Sequence, residues 1–351
     1  MTPEQKGRRS MKYQWVLAIL FGGLVLVVGF CFLASNVYYQ RGVKLLKDQR
    51  TYMAEKEFYM AVRLNPFNAE AHFRRSLCLP RMRPTPLRPT KECLEIEKEL
   101  RWVIRLKPNH AEAHNSLGTI LSDQGYEEEA VQEYRQAIRL NPNKFYFHRV
   151  LGRKLWDLGK LEEAEKEFRE AIRLKPDTSE QPDLHYLVMV LMAQGKYTEA
   201  EREARLIPED RSPLYLSQIF DKQGRLAEAV KEYREAIKKW MPGCYWIYGD
   251  LGVVLAREGK FKDAEDTILQ GFRLSPDYPP FHYQLGCCYA LWGKTEKAIV
   301  SLQKAADKGY DQWPAIEKDT LLNTVRGDPR FIKIVRKVRE NWGRRGYEIR
   351  M

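Results

Sequence analysis

Apolar and small residues recur along most of this chain at helical spacing, inside units of about 34 residues. Between Phe145 and Asp177 they fall at His148, Leu151, Gly152 and Leu155, then at Ala164, Phe168 and Ala171, with Pro176 closing the unit. The same frame fits one unit earlier at His114, Leu117, Gly118, Leu121, Ala130, Tyr134, Ala137 and Pro142. Steps of three and four place these residues on one face of a helix, so each unit predicts two amphipathic helices joined by a turn. The proline ends the second helix, because it has no N–H to donate and disfavours helix in the residue before it.

A different pattern precedes the units. From Trp15 to Ala34 the chain runs twenty residues without a charge. At about 1.5 Å per residue such a helix crosses the roughly 30 Å of a bilayer's hydrocarbon. Tyr13 and Trp15 at one end and Tyr38 and Tyr39 at the other suit an aromatic belt. A cleaved signal peptide fits less well: the run is long for one, and Phe32 stands where cleavage before Ser35 needs a small side chain. Bulky Phe30 before Cys31 likewise disfavours a lipidated cysteine. The expectation is an uncleaved single-pass anchor. Lys6, Arg8, Arg9 and Lys12 precede it against Glu4, while Arg41, Lys44, Lys47 and Arg50 follow with Asp48. The upstream charges sit on a short tail close to the span, which favours a cytoplasmic tail and extracytoplasmic repeats, periplasmic if the cell is bacterial.

The residue order at this period resembles the tetratricopeptide repeat (TPR), a helix–turn–helix unit. The resemblance implies an all-α fold: a right-handed TPR helix–turn–helix solenoid preceded by a single N-terminal transmembrane helix. It divides the chain into a basic tail (1–14), the span (15–34), about eight repeats (35–312) and C-terminal capping helices with a basic tail (313–351). In this family small residues at the eighth and twentieth places let the paired helices touch. The first copy begins at about Ser35, with Gly42, Leu45, Ala54, Phe58, Ala61 and Pro66, so the anchor is expected to run into the first repeat helix. The second copy, from Ala69, is broken by an insertion from Pro80 to Cys93. Four prolines and the cations Arg81, Arg83, Arg88 and Lys91 make this insertion a candidate docking loop, or a tolerated surface insertion. The fifth copy is cut short at Pro208. The sixth, seventh and eighth restart near Asp210, Tyr245 and Pro279. Beyond Asp311 a helix around Pro314 to Val325 and a second, Phe331 to Asn341, are expected to cap the solenoid.

The resemblance also implies where partners bind. Places two, five, nine and twelve of each repeat point to the concave face. In the fourth copy these are Tyr146, Arg149, Arg153 and Trp156, and two arginines one turn apart suit a partner's carboxylate. In the seventh and eighth copies Trp246, Gly249 and Val253 lie beside Pro280, Tyr283 and Cys287. That is an apolar stretch with room at Gly249 for a peptide segment.

Composition narrows the function without naming it. The 351 residues carry a formal charge of +12, and half of that excess lies between Arg326 and Met351. A basic amphipathic end can cap the repeats or lie on acidic membrane. The six cysteines form no CxxC, although Cys78 and Cys93 flank the insertion and could face each other across a hairpin. No HExxH, phosphate loop, dinucleotide fingerprint or nucleophile elbow occurs, so no enzyme, cofactor, metal or small-molecule substrate is expected. The histidines at the fourth place of a repeat (His72, His114, His148, His282) read as core rather than ligands. The basic tail lacks a nucleic-acid recognition fold, so no nucleic acid is expected. The expected partners are other proteins, as membrane-complex subunits or peptide segments. The expected function is a membrane-anchored scaffold within a membrane complex. The alternative is a transient chaperone or biogenesis factor for export, envelope or cytochrome assembly.

Overall fold

The computed structural model describes residues 3–80, 90–175, 182–208, 211–240 and 244–348. These form eighteen α-helices and one short 3-10 turn, in two compact units, 1–142 and 143–351.

The N-terminal unit holds α1 (Pro3–Lys47), α2 (Thr51–Leu64), α3 (Ala69–Cys78), α4 (Lys91–Leu106), α5 (Ala111–Asp123) and α6 (Glu127–Leu140). Helix α1 is continuous from the tail, through the uncharged run, into the first repeat. The Ser35 hydroxyl donates to the Ala61 carbonyl at 2.9 Å, and the Tyr39 and Phe58 rings lie 5.8 Å apart. Phe58, fully buried, presses on Gly42, where an added Cβ would meet the ring at 2.7 Å. That is the close approach the eighth place demands: any larger residue there would drive α1 and α2 apart. Upstream, Leu26, Phe30 and Leu33 are more than two-thirds exposed. By length and composition this helix can cross a membrane.

The second copy pairs α3 with α4 across the insertion, of which residues 81–89 lie outside the described part. Cys78 and Cys93 are both buried and are not joined in a disulfide. Arg75, 7% exposed, donates to Glu55 at 3.0 Å and Glu99 at 2.5 Å, and also pairs with Glu95. One guanidinium thus ties helices α2, α3 and α4 together.

The C-terminal unit holds α7 (Phe145–Asp157), α8 (Leu161–Leu174), α9 (Pro182–Ala193), α10 (Tyr197–Ala204), α11 (Ser212–Lys222), α12 (Leu226–Trp240), α13 (Trp246–Arg257), α14 (Phe261–Leu274), α15 (Pro279–Leu291), α16 (Thr295–Asp307), α17 (Trp313–Lys318) and α18 (Pro329–Glu348). Helix α10 is only eight residues long, the shortening that Pro208 predicts. Behind α16, α18 buries Phe331, Ile334 and Val338 and turns its charges outward, as a cap requires. The capping segment differs from the sequence reading in one respect. The helix expected to reach Val325 stops at Lys318, and a 3-10 turn, Thr320–Leu322, follows. Asp319 breaks it: its backbone is extended, and its carboxylate accepts from the Leu321 N–H at 2.9 Å.

Candidate binding groove

Three repeats and the cap of the C-terminal unit converge on a cavity of about 390 Å³. Helix α11 supplies Asp221 from its last turn and α12 supplies Tyr233. Helix α13 gives Asp250 and Val253, α15 gives Tyr283, Gln284 and Cys287, and the interrupted cap gives Asp319. Tyr278, Pro280, Tyr310 and Gln312 continue into a neighbouring cavity of about 570 Å³. Together the two make a trough lined by tyrosine and proline, with Asp221, Asp250 and Asp319 in the smaller cavity and Arg344 lining the larger one.

Each carboxylate is held differently. Arg257 donates to Asp221. Asp319 accepts from the Tyr283 hydroxyl and, at 3.8 Å, from the Cys287 thiol, and Tyr283 stacks on Tyr310 with ring centres 4.5 Å apart. Asp250 takes one Gln284 amide N–H at 3.0 Å and faces no cation among the described contacts. Burial, with the Asp221 charge adding to it, raises the Asp250 carboxyl to about 6. Burial also raises Asp221, against the pull of Arg257. The hydroxyls respond in kind: burial foremost, then Asp250 and Asp221, lifts Tyr233 well above its ordinary value, and burial lifts Tyr283 and Tyr310. An unneutralised carboxylate in such surroundings favours a cation entering the groove.

The sequence-predicted residues are only partly brought together. Val253, Pro280, Tyr283 and Cys287 line the cavity; Trp246 packs edge-on against Tyr245 outside its lining. The expected room at Gly249 is already occupied. A Cβ there would stand 1.8 Å from the Gln284 side-chain oxygen, because Gln284 crosses to reach Asp250. Nor is the stretch apolar, since three aspartates lie in it. Asp221 was within reach of sequence reasoning, being the twelfth place of the sixth copy. Asp250, at a sixth place, and Asp319, past the end of the frame, carried no such signal.

In the fourth copy the two arginines are not a free pair. Asp183 takes both arms of Arg149, at 2.5 and 2.6 Å, and the Phe145 ring lies 5.2 Å from the guanidinium. Its fork is satisfied within the chain, which corrects the expectation that it awaits a partner's carboxylate. Arg153 is exposed with its guanidinium 5.7 Å from the Tyr186 ring, and Trp156 meets the same ring edge-on at 5.9 Å. Tyr146 is 45% exposed. Arg81, Arg83 and Arg88 lie outside the described residues. Among the described residues no group of three or more His, Cys, Asp or Glu is gathered to hold a metal ion.

Sequence profiles of the tetratricopeptide repeat match residues 97–145, 123–179 and 214–279, and another matches 279–307, in all just over half of the chain. Mouse "Protein O-mannosyl-transferase TMTC2" is 34% identical over 82 residues, which are 22% of this chain and 10% of that protein. A chloroplastic protein of Arabidopsis thaliana is 20% identical over 154 residues, 43% of this chain and 41% of that one. The chain thus spans less than half the length of these relatives. Among solved structures, a tetratricopeptide repeat protein from Parabacteroides merdae superposes with a TM-score of 0.51 at 17% identity, covering 84% of this chain and 99% of that one. The C-terminal part of a TPR repeat-containing protein from Cytophaga hutchinsonii gives 0.57 at 15% identity, covering 70% and 99%.

Proposed function

The chain belongs to the tetratricopeptide repeat family, and from that premise we propose that it is a non-catalytic, membrane-anchored scaffold whose C-terminal groove holds a basic segment of a partner protein. The observation that carries this reading is the trough floored by Asp221, Asp250 and Asp319 and walled by Tyr278, Tyr283 and Tyr310. A lysine or arginine entering it meets carboxylates at its head and aromatic faces along its stem. The partner is a subunit of a membrane complex, and α1 holds the scaffold beside it in the same bilayer. The closeness of the upstream cations to the span, on a short tail, supports repeats on the extracytoplasmic side. Apart from Arg153, the fourth-copy residues are secondary to this groove, because Arg149 is already paired.

The test is native co-purification of the full chain in mild detergent. Asp250→Asn with Asp319→Asn should lose the bound protein, and mass spectrometry identifies it from the unaltered chain. Retention of the same protein at the same ratio by the double variant would remove the groove from the function.

A further inference from the structure

The turn after the second helix of a repeat has proline at its second residue. Later copies read Lys107-Pro108-Asn109-His110, Asn141-Pro142-Asn143-Lys144, Lys175-Pro176-Asp177-Thr178 and Ser275-Pro276-Asp277-Tyr278. In each the residue after the proline is Asn or Asp, as a solvated turn prefers. The first copy instead reads Asn65-Pro66-Phe67-Asn68, and Phe67 is 71% exposed. A large aromatic stands at the tip of one turn, the one belonging to the repeat that the apolar helix enters.

Register explains the exception. Helices α1 and α2 run antiparallel, with Ser35 bonded to Ala61 and Gly42 against Phe58. From Ala61 the chain advances three residues to Leu64, about 4.5 Å farther toward the start of α1. The turn therefore stands beside Cys31–Ala34, the last turn of the uncharged run. Its backbone polar groups are satisfied within the protein. The Phe67 N–H donates to the Asn65 side chain at 3.1 Å, and the Asn68 N–H to the Asn65 carbonyl at 3.1 Å. The Phe67 carbonyl accepts from the Ala69 N–H at 3.1 Å, and the Pro66 carbonyl from the Trp102 indole at 2.8 Å. The Asn68 side chain accepts from the Ala71 N–H at 3.0 Å. A turn with its backbone groups so matched can enter a poorly hydrated layer, where unmatched ones would be costly. Arg63, exposed just before it, has its guanidinium 5.8 Å from the Tyr59 ring, and its long stem could reach a headgroup from there.

We infer that this turn is a second membrane contact, with Phe67 inserted into the lipid surface beside α1. It rests on the anchor reading above. Two contacts from one rigid repeat fix how that repeat leans on the bilayer, which a single helix leaves free.

The experiment places an environment-sensitive fluorophore on the full chain in phosphatidylcholine–phosphatidylglycerol vesicles, in a Cys31→Ser, Cys244→Ser background. One label sits at Phe67→Cys, one at Leu26→Cys within the span, and one at Tyr126→Cys, exposed at the opposite end of its helix pair. Quenching by lipids carrying a nitroxide near the headgroup should reduce emission at position 67, quenching by lipids carrying it deep in the acyl chain should reduce emission at position 26, and both should spare 126. Quenching at 26 with 67 behaving like 126 would overturn this inference alone. Loss of quenching at both 26 and 67 would overturn the anchor itself and this inference with it.

Discussion

At the fourth place of a repeat the N-terminal unit carries His114 and the C-terminal unit carries His282, yet the two titrate in opposite directions. His114 sets its Nδ1 2.6 Å from Glu133 and its Nε2 3.0 Å from the Pro108 carbonyl. Two acceptors favour the ring with both nitrogens protonated, and Glu133 foremost raises its pKa from the usual 6.5. His282 packs edge-on to Phe272 at 4.6 Å, and its Nε2 is buried without a partner among the described residues. Burial foremost, then Lys308 and Lys304, lowers it. The residue nineteen positions on decides the matter: Glu133 after His114, Ser301 after His282. His148, within the C-terminal unit, repeats the His114 geometry: Glu167 follows at that distance and lies 2.7 Å from its Nδ1. The N-terminal unit buries charges in matched sets, while the C-terminal groove buries carboxylates short of cations.

The sharpest way to break this contrast is Arg75→Ala. It strips Glu55, Glu95 and Glu99 of their shared cation, and losing one partner of a buried ion pair typically costs about 3–5 kcal/mol. Thermal unfolding of the full chain in detergent should show the N-terminal transition falling well below its wild-type temperature; an unshifted one would mean those glutamates are not matched by Arg75. Asp250→Asn should act the other way. A folded pKa near 6 against an ordinary 3.8 means that the group's stabilising contribution is complete below about 3.8 and is lost as pH rises through 6. At pH 8 the amide should therefore stabilise the C-terminal unit by up to about 3 kcal/mol, with the gap closing near pH 4. An equal or lower melting temperature at pH 8 would refute the reading of Asp250 as an uncompensated charge. The smallest effect compares His114→Gln with His282→Gln across pH 5 to 8. The raised His114 gives stability that is complete below pH 6.5 and lost as pH rises through its folded pKa. The lowered His282 gives stability that is complete above pH 6.5 and lost as pH falls. His114→Gln should cost about 1–3 kcal/mol at pH 5.5 and less at pH 8. His282→Gln should cost most at pH 8, and parallel profiles for the two variants would dissolve the comparison.

Much of the architecture was legible because each repeat place states its own geometric need. Gly42 and Gly252 are small where Phe58 and Ile268 press on them, and Gly125 and Gly259 hold φ of +85° and +82° in the turn between paired helices. The groove was less legible for a reason of scale. Concave positions can be counted along a frame, but Gln284 reaches across to Asp250 through a long side chain that no spacing rule follows. Asp319 enters the groove only because the cap's helix stops at Lys318, a break set by its own side chain and by Tyr283. Arg149 illustrates the converse. Its position suggested a ligand, and Asp183, 34 residues on, had already taken it.

On the anchor proposal, the unbroken run of α1 from the uncharged segment into the core of the first repeat also governs how the repeats could be severed from a membrane. Proteases cleave extended, exposed backbone, and shedding of anchored proteins uses a linker of that kind. None lies here, because the residues following the span are already helical and packed by Ser35, Tyr39 and Gly42. A cut past Ser35 removes one wall of the core around Phe58, so on that proposal release from a bilayer and loss of the first repeat become one event.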